Sequence, residues 1–156
     1  MDLLSVPYPR QVIVVSSRFG SKDNAITLSW HSPASFNPVL YSIYVGKERF
    51  SYNLIKKSKC FCVNFLSKDD GEIALIAGRK SGKDFDKFSV LEKLECEKIS
   101  CPRLKKAVAL LECELVNEFE VGDHVVFVGR VINSKVLKES KRLFQVKGND
   151  FTTTVV

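Results

Sequence analysis

Small polar side chains are concentrated in residues 24–38, which read Asn-Ala-Ile-Thr-Leu-Ser-Trp-His-Ser-Pro-Ala-Ser-Phe-Asn-Pro. The first half predicts a strand, because Ile26, Leu28 and Trp30 alternate with polar residues and share one face. From His31 onward we expect an irregular loop, whose two prolines remove backbone N–H groups and fix its path. The remaining N–H groups and hydroxyls are then available to bind a ligand.

A second polar group lies where a short helix is predicted to begin. The pattern of residues 50–58 indicates an amphipathic helix with Phe50 on its buried side. Arg49 and Ser51 are at its amino end, where backbone N–H groups lack internal partners and the helix dipole is positive, so a phosphate can bind there. Two simpler interpretations stay open: a serine helix cap, and a surface ion pair of Arg49 with Glu48.

A third polar segment, residues 79–88, reads Arg-Lys-Ser-Gly-Lys-Asp-Phe-Asp-Lys-Phe. Ser81, Gly82 and Lys83 in a row suit an anion, but the spacing is not that of a Walker A loop. Nucleotide hydrolysis is therefore not predicted.

The elements that position these segments are mostly strands. Strands are predicted at residues 11–17, 25–30, 39–45, 60–66, 107–118 and 124–132, with one more in the tail 145–156, and helices at 50–58 and 69–78. Short spacings predict two hairpins, one from the first two strands and one around Gly122. Residues 96–103, broken by Pro102, are predicted to be loop. Because strands and helices do not alternate regularly, the pattern favours a mainly β fold, an antiparallel barrel with helical insertions.

Composition is that of one ordinary domain over residues 1–156, with 45% hydrophobic and 27% charged residues. The net charge of +6 is scattered in short pairs, which favours a solvated basic surface over a nucleic-acid interface. The sequence shows no signal peptide and no apolar run of membrane-spanning length, so we expect a cytoplasmic protein.

Five cysteines, Cys60, Cys62, Cys96, Cys101 and Cys113, show no Cys-x-x-Cys spacing. A structural zinc site needs about four ligands, and the two histidines would have to come from distant segments. We expect reduced, mostly buried thiols and no metal site.

Five segments, in this order along the chain, resemble motifs of the flavin reductase-like proteins, which bind FMN on a split β-barrel. They are the small-residue loop 29–38, the basic-aromatic-hydroxyl helix start 47–51, the Phe-x-Val-Asn strand 61–64, the Ser-Gly-Lys-Asp turn 81–88 and the Gly-Asp-His-x-x-Phe-x-Gly-x-Val segment 122–131. The resemblance covers nearly the whole chain. One departure is Val39, which stands where the family has a second proline.

This resemblance implies an antiparallel, Greek-key-like split barrel with a few short helices and a homodimer with non-covalent FMN near the interface. The flavin ring is expected against residues 30–36, and the phosphate near Thr27 or Ser29 together with Arg49, Ser51 and Lys83. In full, the implied cofactor-binding residues are Asn24, Thr27, Ser29, Trp30, His31, Ser32, Ser35, Phe36, Arg49, Phe50, Ser51, Ser81 and Lys83.

The Gly-Asp-His segment implies that His124 binds a nicotinamide cofactor beside the flavin, and the alternative is a turn residue that only starts a strand. Trp30, Phe36 and Phe50 have an alternative role as core side chains, which two-residue alternation favours for Trp30. No catalytic side chain is assigned, because hydride transfer between cofactors needs no protein acid or base.

The expected function is an NAD(P)H-dependent FMN reductase that passes electrons to an acceptor, such as a partner oxygenase or an electron-acceptor protein. One alternative is a flavoredoxin-like electron-transfer protein that holds its FMN tightly. A basic β-barrel that binds nucleic acid is a third alternative. Under the main expectation, neither nucleic acid nor a membrane is a partner.

Overall fold

The computed structural model describes residues 3–155. Within this range the strands are β1 (Arg10–Gln11), β2 (Ile13–Phe19), β3 (Lys22–Leu28), β4 (His31–Phe36), β5 (Val39–Gly46), β6 (Cys60–Phe65), β7 (Lys93–Glu95), β8 (Pro102–Leu104), β9 (Ala109–Val121), β10 (His124–Val136), β11 (Phe144–Lys147) and β12 (Asp150–Thr152). The helices are α1 (Phe50–Ser58) and α2 (Gly71–Arg79), with short 3-10 turns at Leu3–Ser5 and Lys87–Ser89.

Seven strands form one antiparallel sheet in the order β3-β2-β6-β9-β10-β5-β4. Its two edge strands, β3 and β4, follow each other in the chain and are joined by Ser29 and Trp30 alone. The sheet must therefore curl until its edges meet at this corner, which makes an antiparallel split β-barrel. Strands β1, β11 and β12 form a separate sheet, and β7 pairs with β8. The fold class expected from the sequence is confirmed.

Strand β2 is buried on both faces, as its β-branched run predicts. Ile13 and Val15 face the apolar interior of the barrel. Val14 faces the other way, in a second cluster that includes Ala74 and Ala77 of α2. Helix α2 is thus held outside the barrel, against the sheet.

Both predicted hairpins and the helix over residues 50–58 are confirmed. Strands β2 and β3 pair from Ile13 with Leu28 to Phe19 with Lys22. Strands β9 and β10 are joined through Gly122, whose φ of +57° lies in the left-handed region that glycine adopts without strain.

The prediction of an irregular loop from His31 onward is wrong, because His31–Phe36 forms strand β4. This strand pairs with β5 on one side only and is an edge of the sheet. Its pairing register shifts between Pro33 and Ser35, and an edge strand with a bulge tolerates a proline. The two prolines of this stretch, Pro33 and Pro38, therefore mark an edge strand and the turn that follows it.

Two further segments contain more strand than predicted. Residues 96–103 are partly loop, but Pro102–Leu104 forms β8, which pairs with β7. The tail holds two strands, β11 and β12, and β11 pairs with β1 near the start of the chain. These strands have only two to four residues, too few for a periodic pattern.

No helix within residues 3–155 is both long enough and apolar enough to cross a lipid bilayer.

Gly129, the glycine of the Gly-Asp-His-x-x-Phe-x-Gly-x-Val segment, is required by close packing inside the barrel. A Cβ at this position would lie 2.6 Å from Cys113 Cβ and 2.7 Å from Phe61 Cζ, closer than real side chains approach. Both neighbours are fully buried. The glycine lets β9 and β10 pack over the aromatic ring.

We expect Gly129→Ala to lower the free energy of unfolding by about 1–3 kcal/mol, because the added methyl overpacks the core. Urea unfolding measures the change. The control is Ser134→Ala, an exposed position on the same strand, with an expected change within about 0.5 kcal/mol. Equal stability of the two variants would show that the Phe61 ring moves aside at no cost.

Candidate functional site

Three segments distant in sequence meet at the side chain of Asn24. Its Nδ2 donates a hydrogen bond to Ser51 Oγ at 2.9 Å, which links β3 to the first turn of α1. Gly82 lies so close on the other side that any Cβ there would overlap Asn24 Oδ1. Asn24 and Ser51 are both buried. We call these residues, Asn24, Ser51 and Gly82, the polar junction.

The polar junction contains unused hydrogen-bonding capacity. Asn24 Oδ1 and the neighbouring Ser17 Oγ are buried, and neither has a hydrogen-bond partner among residues 3–155. Buried polar atoms are normally paired, so this arrangement is typical of a position that a bound polar group completes.

Positive charge surrounds the amino end of α1. Arg49 occupies the N-cap position, and within the described chain no side chain caps the helix. The Arg49 side chain is exposed and forms an ion pair with Glu48, with Nε 3.4 Å from Oε1. The Lys22 ammonium lies 5.7 Å from the Phe50 ring centroid. Open backbone N–H groups and adjacent cations make this helix end suitable for an anion.

The turn after α2 brings Ser81 and Lys83 to the same place, because Gly82 between them contacts Asn24. The Lys83 backbone N–H donates to Ser81 Oγ at 3.2 Å, so the hydroxyl stabilises the turn itself. Both side chains are exposed. The Gly82 contact thus brings this turn beside the polar junction.

Lys87, the last lysine of the same motif, is not among the predicted site residues. Its Nζ is buried and donates to the carbonyl oxygens of Ala25 at 2.6 Å and Ala77 at 2.7 Å. Burial, with a smaller contribution from the charge of Arg49, lowers the pKa of Lys87 to about 8. This lysine therefore ties β3 to the end of α2, and it shows that Arg49 lies within electrostatic range.

Thr27 lies on the opposite face of β3 from the polar junction. Its hydroxyl donates to the Ala74 carbonyl oxygen at 2.5 Å, and its side chain packs against Gly78 of α2. The sequence predicts Thr27 beside Arg49 and Ser51. Because side chains alternate along a strand, a residue three positions after Asn24 points to the opposite face of β3. In this chain Thr27 positions α2.

A cavity of about 570 Å³ opens at the corner between β3 and β4. It contains three predicted residues, Ser29, Trp30 and His31. The other lining residues are Leu4, Pro7, Arg10, Gln11, Pro33, Tyr41 and Tyr44. Aromatic walls with a few polar groups suit a flat heterocyclic ring.

Trp30 connects this cavity to His124. The two rings stack with centroids 4.8 Å apart, and the Arg10 guanidinium lies 6.0 Å from the indole centroid. Strand β3 ends at Leu28, so Trp30 leaves the alternation that favoured a core position. His124 Nδ1 is 2.6 Å from Asp123 Oδ1, and this contact lowers the pKa of Asp123.

His31 is held in one tautomer. Its Nε2 lies 2.8 Å from the Gln11 carbonyl oxygen, which can only accept, so Nε2 carries the proton. Its Nδ1 accepts from the Tyr41 hydroxyl at 2.7 Å. Burial lowers the pKa of His31 and raises that of Tyr41 to about 12, so both groups are neutral near pH 7.

The remaining predicted residues are spread along β4 toward its turn. Ser32 is exposed and donates to the Pro33 carbonyl oxygen at 2.9 Å, and Ser35 is half-buried. Phe36 is 99% exposed, so it is not a core residue. The structure thus separates these three from the polar junction.

Several residues of the cavity and the junction escaped the sequence reasoning. Arg10, Tyr41 and Tyr44 belong to no recognised motif, and the pairing of their strands brings them to the cavity. Lys87 lies inside the 81–88 motif, and its place next to Phe88 in a short turn is a sequence signal for a buried lysine. A second cavity, of about 760 Å³, lies outside α2, and within the described chain no predicted site residue lines it.

Comparison with known proteins identifies the family. Residues 5–151 match the family model described as flavin reductase like domain, so the chain belongs to the flavin reductase-like family. A ferric-chelate reductase (NAD(P)H) of Archaeoglobus fulgidus is 31% identical over 133 residues, which cover 84% of this chain and 78% of that protein.

Solved structures share the fold. An FMN-binding protein from Thermus thermophilus superposes with a TM-score of 0.91 at 23% identity, covering 98% of this chain and 90% of that one. The NADH:FAD oxidoreductase of Streptomyces globisporus gives a TM-score of 0.87 at 26% identity, covering 96% and 88%.

The environment of His31 makes a prediction about acid stability. Because burial lowers its pKa in the folded state, the unfolded chain takes up the proton first as the pH falls below about 6.5. The folded protein should lose stability from that pH down to the lowered pKa. His31→Gln should flatten this slope in urea unfolding at a series of pH values.

The control is His124→Gln, which removes the other histidine and leaves the His31 contacts in place. This variant should keep the slope of the parent protein. An unchanged slope in His31→Gln would show that protonation of His31 does not limit stability in acid.

Proposed function

We propose that this protein is an NAD(P)H-dependent FMN reductase. The observation that carries the proposal is the polar junction, which presents a buried, incompletely bonded polar site at the cationic amino end of α1. The family supports the reaction class, and the relative from Archaeoglobus fulgidus is a ferric-chelate reductase that uses NAD(P)H.

The phosphate of FMN is proposed to bind at the amino end of α1. Ser51 Oγ already accepts from Asn24, so its own proton can be donated to a phosphate oxygen. Arg49 supplies an exposed guanidinium, and the Ser81–Lys83 turn supplies a hydroxyl and a second cation. Charge-assisted hydrogen bonds of this kind are stronger than neutral ones.

The flavin ring is proposed to lie in the 570 Å³ cavity beside Trp30. Ser29 and Asn24 are five residues apart on one extended segment, which spans about 16 Å and suits a ring and a phosphate joined by a sugar chain. Tyr41 and His31, locked together by their hydrogen bond, form a rigid neutral wall. Backbone groups of Ser29 and Trp30 would form hydrogen bonds with the polar edge of the ring.

His124 is proposed to orient the nicotinamide. It starts β10, is partly exposed and stacks on Trp30, so a nicotinamide that contacts the imidazole lies next to the cavity. Bound FMN supplies the redox chemistry, since flavins accept a hydride and pass electrons on. The chain contributes position rather than acid or base catalysis, and Asp123 fixes the imidazole through Nδ1.

We further propose FMN rather than FAD, although one structural neighbour is an NADH:FAD oxidoreductase. The acceptor would be a partner oxygenase, an electron-acceptor protein or a ferric chelate, the last by analogy with the relative from Archaeoglobus fulgidus. We place the protein in the cytoplasm, because all five cysteines are free thiols, which a reducing compartment maintains.

A homodimer is part of the proposal. Phe36 and Val39 on the β4–β5 hairpin are exposed, as are Val116, Phe119 and Val121 on the β9–β10 hairpin. The β5–β10 ladder runs from the pair of Leu40 with Arg130 to the pair of Gly46 with His124. The turn of the β4–β5 hairpin lies at its first end and the turn of the β9–β10 hairpin at its other end. Exposed apolar side chains of this size on one sheet favour association with a second copy. Phe36 would then reach the partner, which explains its distance from the site in its own chain.

The phosphate position can be tested by the double substitution Arg49→Ala, Ser51→Ala. Loss of charge-assisted hydrogen bonds should weaken FMN binding about 10-fold or more, while riboflavin, which lacks the phosphate, should bind as in the parent protein. Isothermal titration with both ligands measures the two affinities.

The control is Lys57→Ala, which removes one positive charge from the other end of α1. It should leave FMN affinity within about twofold. Arg49→Ala alone covers the case in which loss of Ser51 disturbs the fold, since Arg49 is exposed. Equal losses for FMN and riboflavin would place the phosphate elsewhere.

The nicotinamide side can be tested with His124→Ala. Anaerobic stopped-flow reduction of bound FMN by NADH and by NADPH should slow about 10-fold or more, because the donor is less well positioned. Reduction of the same variant by dithionite, which needs no nicotinamide site, should be unchanged. If the parent protein oxidises neither NADH nor NADPH, the flavoredoxin-like alternative replaces the reductase.

A further inference from the structure

Two cysteines face each other at the closed end of the β7–β8 hairpin. The pairing of Lys93 with Leu104 and of Glu95 with Pro102, continued by one residue, puts Cys96 opposite Cys101. The Cys96 N–H donates to the Cys101 carbonyl oxygen at 3.0 Å, which confirms that the ladder continues. Opposed residues of this kind have Cα atoms about 5.5 Å apart, within the range that disulfides span.

The thiols of this hairpin are in contact with each other and with a third one. Cys96 packs against a buried cluster that contains both Cys62 and Cys101. Cys101 Sγ also lies 3.1 Å from the Ser16 carbonyl oxygen, and Cys62 Sγ lies 3.9 Å from Asn64 Oδ1. Cys62 belongs to the central strand β6, whereas Cys96 and Cys101 share one short loop.

The electrostatics favour the thiolate form at Cys96 over the other two thiols. The neighbouring thiols of Cys101 and then Cys62, with a smaller contribution from Arg103, lower the pKa of Cys96, against burial and the charge of Glu112. The pKa values of Cys101 and Cys62 are raised. Cys96 is also the more accessible, since it is half-buried while Cys62 and Cys101 are buried.

A buried carboxylate holds the loop in this shape. Glu112, on the sheet below, accepts from the backbone N–H groups of Glu97 at 2.9 Å and Lys98 at 2.6 Å. Glu112 is 1% exposed. Within residues 3–155 no group of three or more His, Cys, Asp or Glu side chains is arranged to bind a metal ion. The geometry therefore suits thiol redox chemistry better than a zinc site.

We propose that Cys96 and Cys101 form a reversible disulfide when Cys96 is oxidised by a hydroperoxide. The Cys96 thiolate attacks the terminal oxygen of the hydroperoxide and the O–O bond breaks. Hydroxide leaves from hydrogen peroxide, or an alkoxide from an organic hydroperoxide, while Cys96 becomes a sulfenic acid. The Cys101 sulfur then attacks the Cys96 sulfur, an S–S bond forms, and the sulfenic oxygen leaves as water with the Cys101 proton. Two electrons pass from the two cysteines to the peroxide.

The test uses the full chain, reduced and then treated with hydrogen peroxide. The number of free thiols measured after denaturation should fall from five to three, and dithiothreitol should restore it. Trypsin cleaves after Lys98, so peptides 94–98 and 99–103 separate in the reduced protein and stay joined by the disulfide after oxidation. Mass spectrometry identifies the joined pair.

Two variants test the assignment of the disulfide to Cys96. Cys96→Ser should retain its four thiols under the same treatment, whereas Cys113→Ser should still lose two, because Cys113 is fully buried and burial raises the pKa of its thiol to about 12. Five thiols after treatment of the parent protein would overturn the proposal. So would a bond that joins peptide 94–98 to peptide 60–68, which contains Cys62, or Cys96 recovered as a sulfinic acid beside a reduced Cys101.

Discussion

The hydrogen bond between Asn24 and Ser51 is the contact on which the site depends. It fixes the first turn of α1 against β3, and Gly82 closes the same point from the third segment. Because both partners are buried, loss of either would leave an unsatisfied polar group in the interior, which costs about 1–3 kcal/mol. This contact and the burial of Leu54 and Ile55 in the core together fix the position of the helix dipole and of Arg49.

The barrel topology explains why the two ends of the site lie on one strand. Edge strands β3 and β4 meet at Ser29 and Trp30. Strand β3 carries the buried Asn24 near its start, and the residues that follow its end line the cavity. Lys87 and Thr27 attach α2 to the outer face of that same strand. Within strand β3, Thr27 packs toward α2, and Asn24 on the opposite face belongs to the polar junction.

Sequence reasoning predicted the fold class, both hairpins and α1, because long alternating runs and a helical period determine those elements. It failed where the pairing of strands, rather than the periodicity of apolar residues, determines the structure. His31–Phe36 looks like a loop until β5 lies beside it, and β7, β8, β11 and β12 are too short to show a period. At the site, the polar stretch 24–38 indicated Asn24 and Trp30, and the predicted helix start indicated Ser51. Only tertiary contacts bring in Arg10 and Tyr41 or turn Thr27 away.

Trp30 is the sole tryptophan of the sequence, and its ring stacks on His124 and lies 6.0 Å from the Arg10 guanidinium. Indole emission is quenched by a cationic imidazole and by energy transfer to a nearby yellow chromophore. The protein thus carries an intrinsic optical reporter at the corner where β3 meets β4. Its fluorescence can follow events at this corner in solution without any added label.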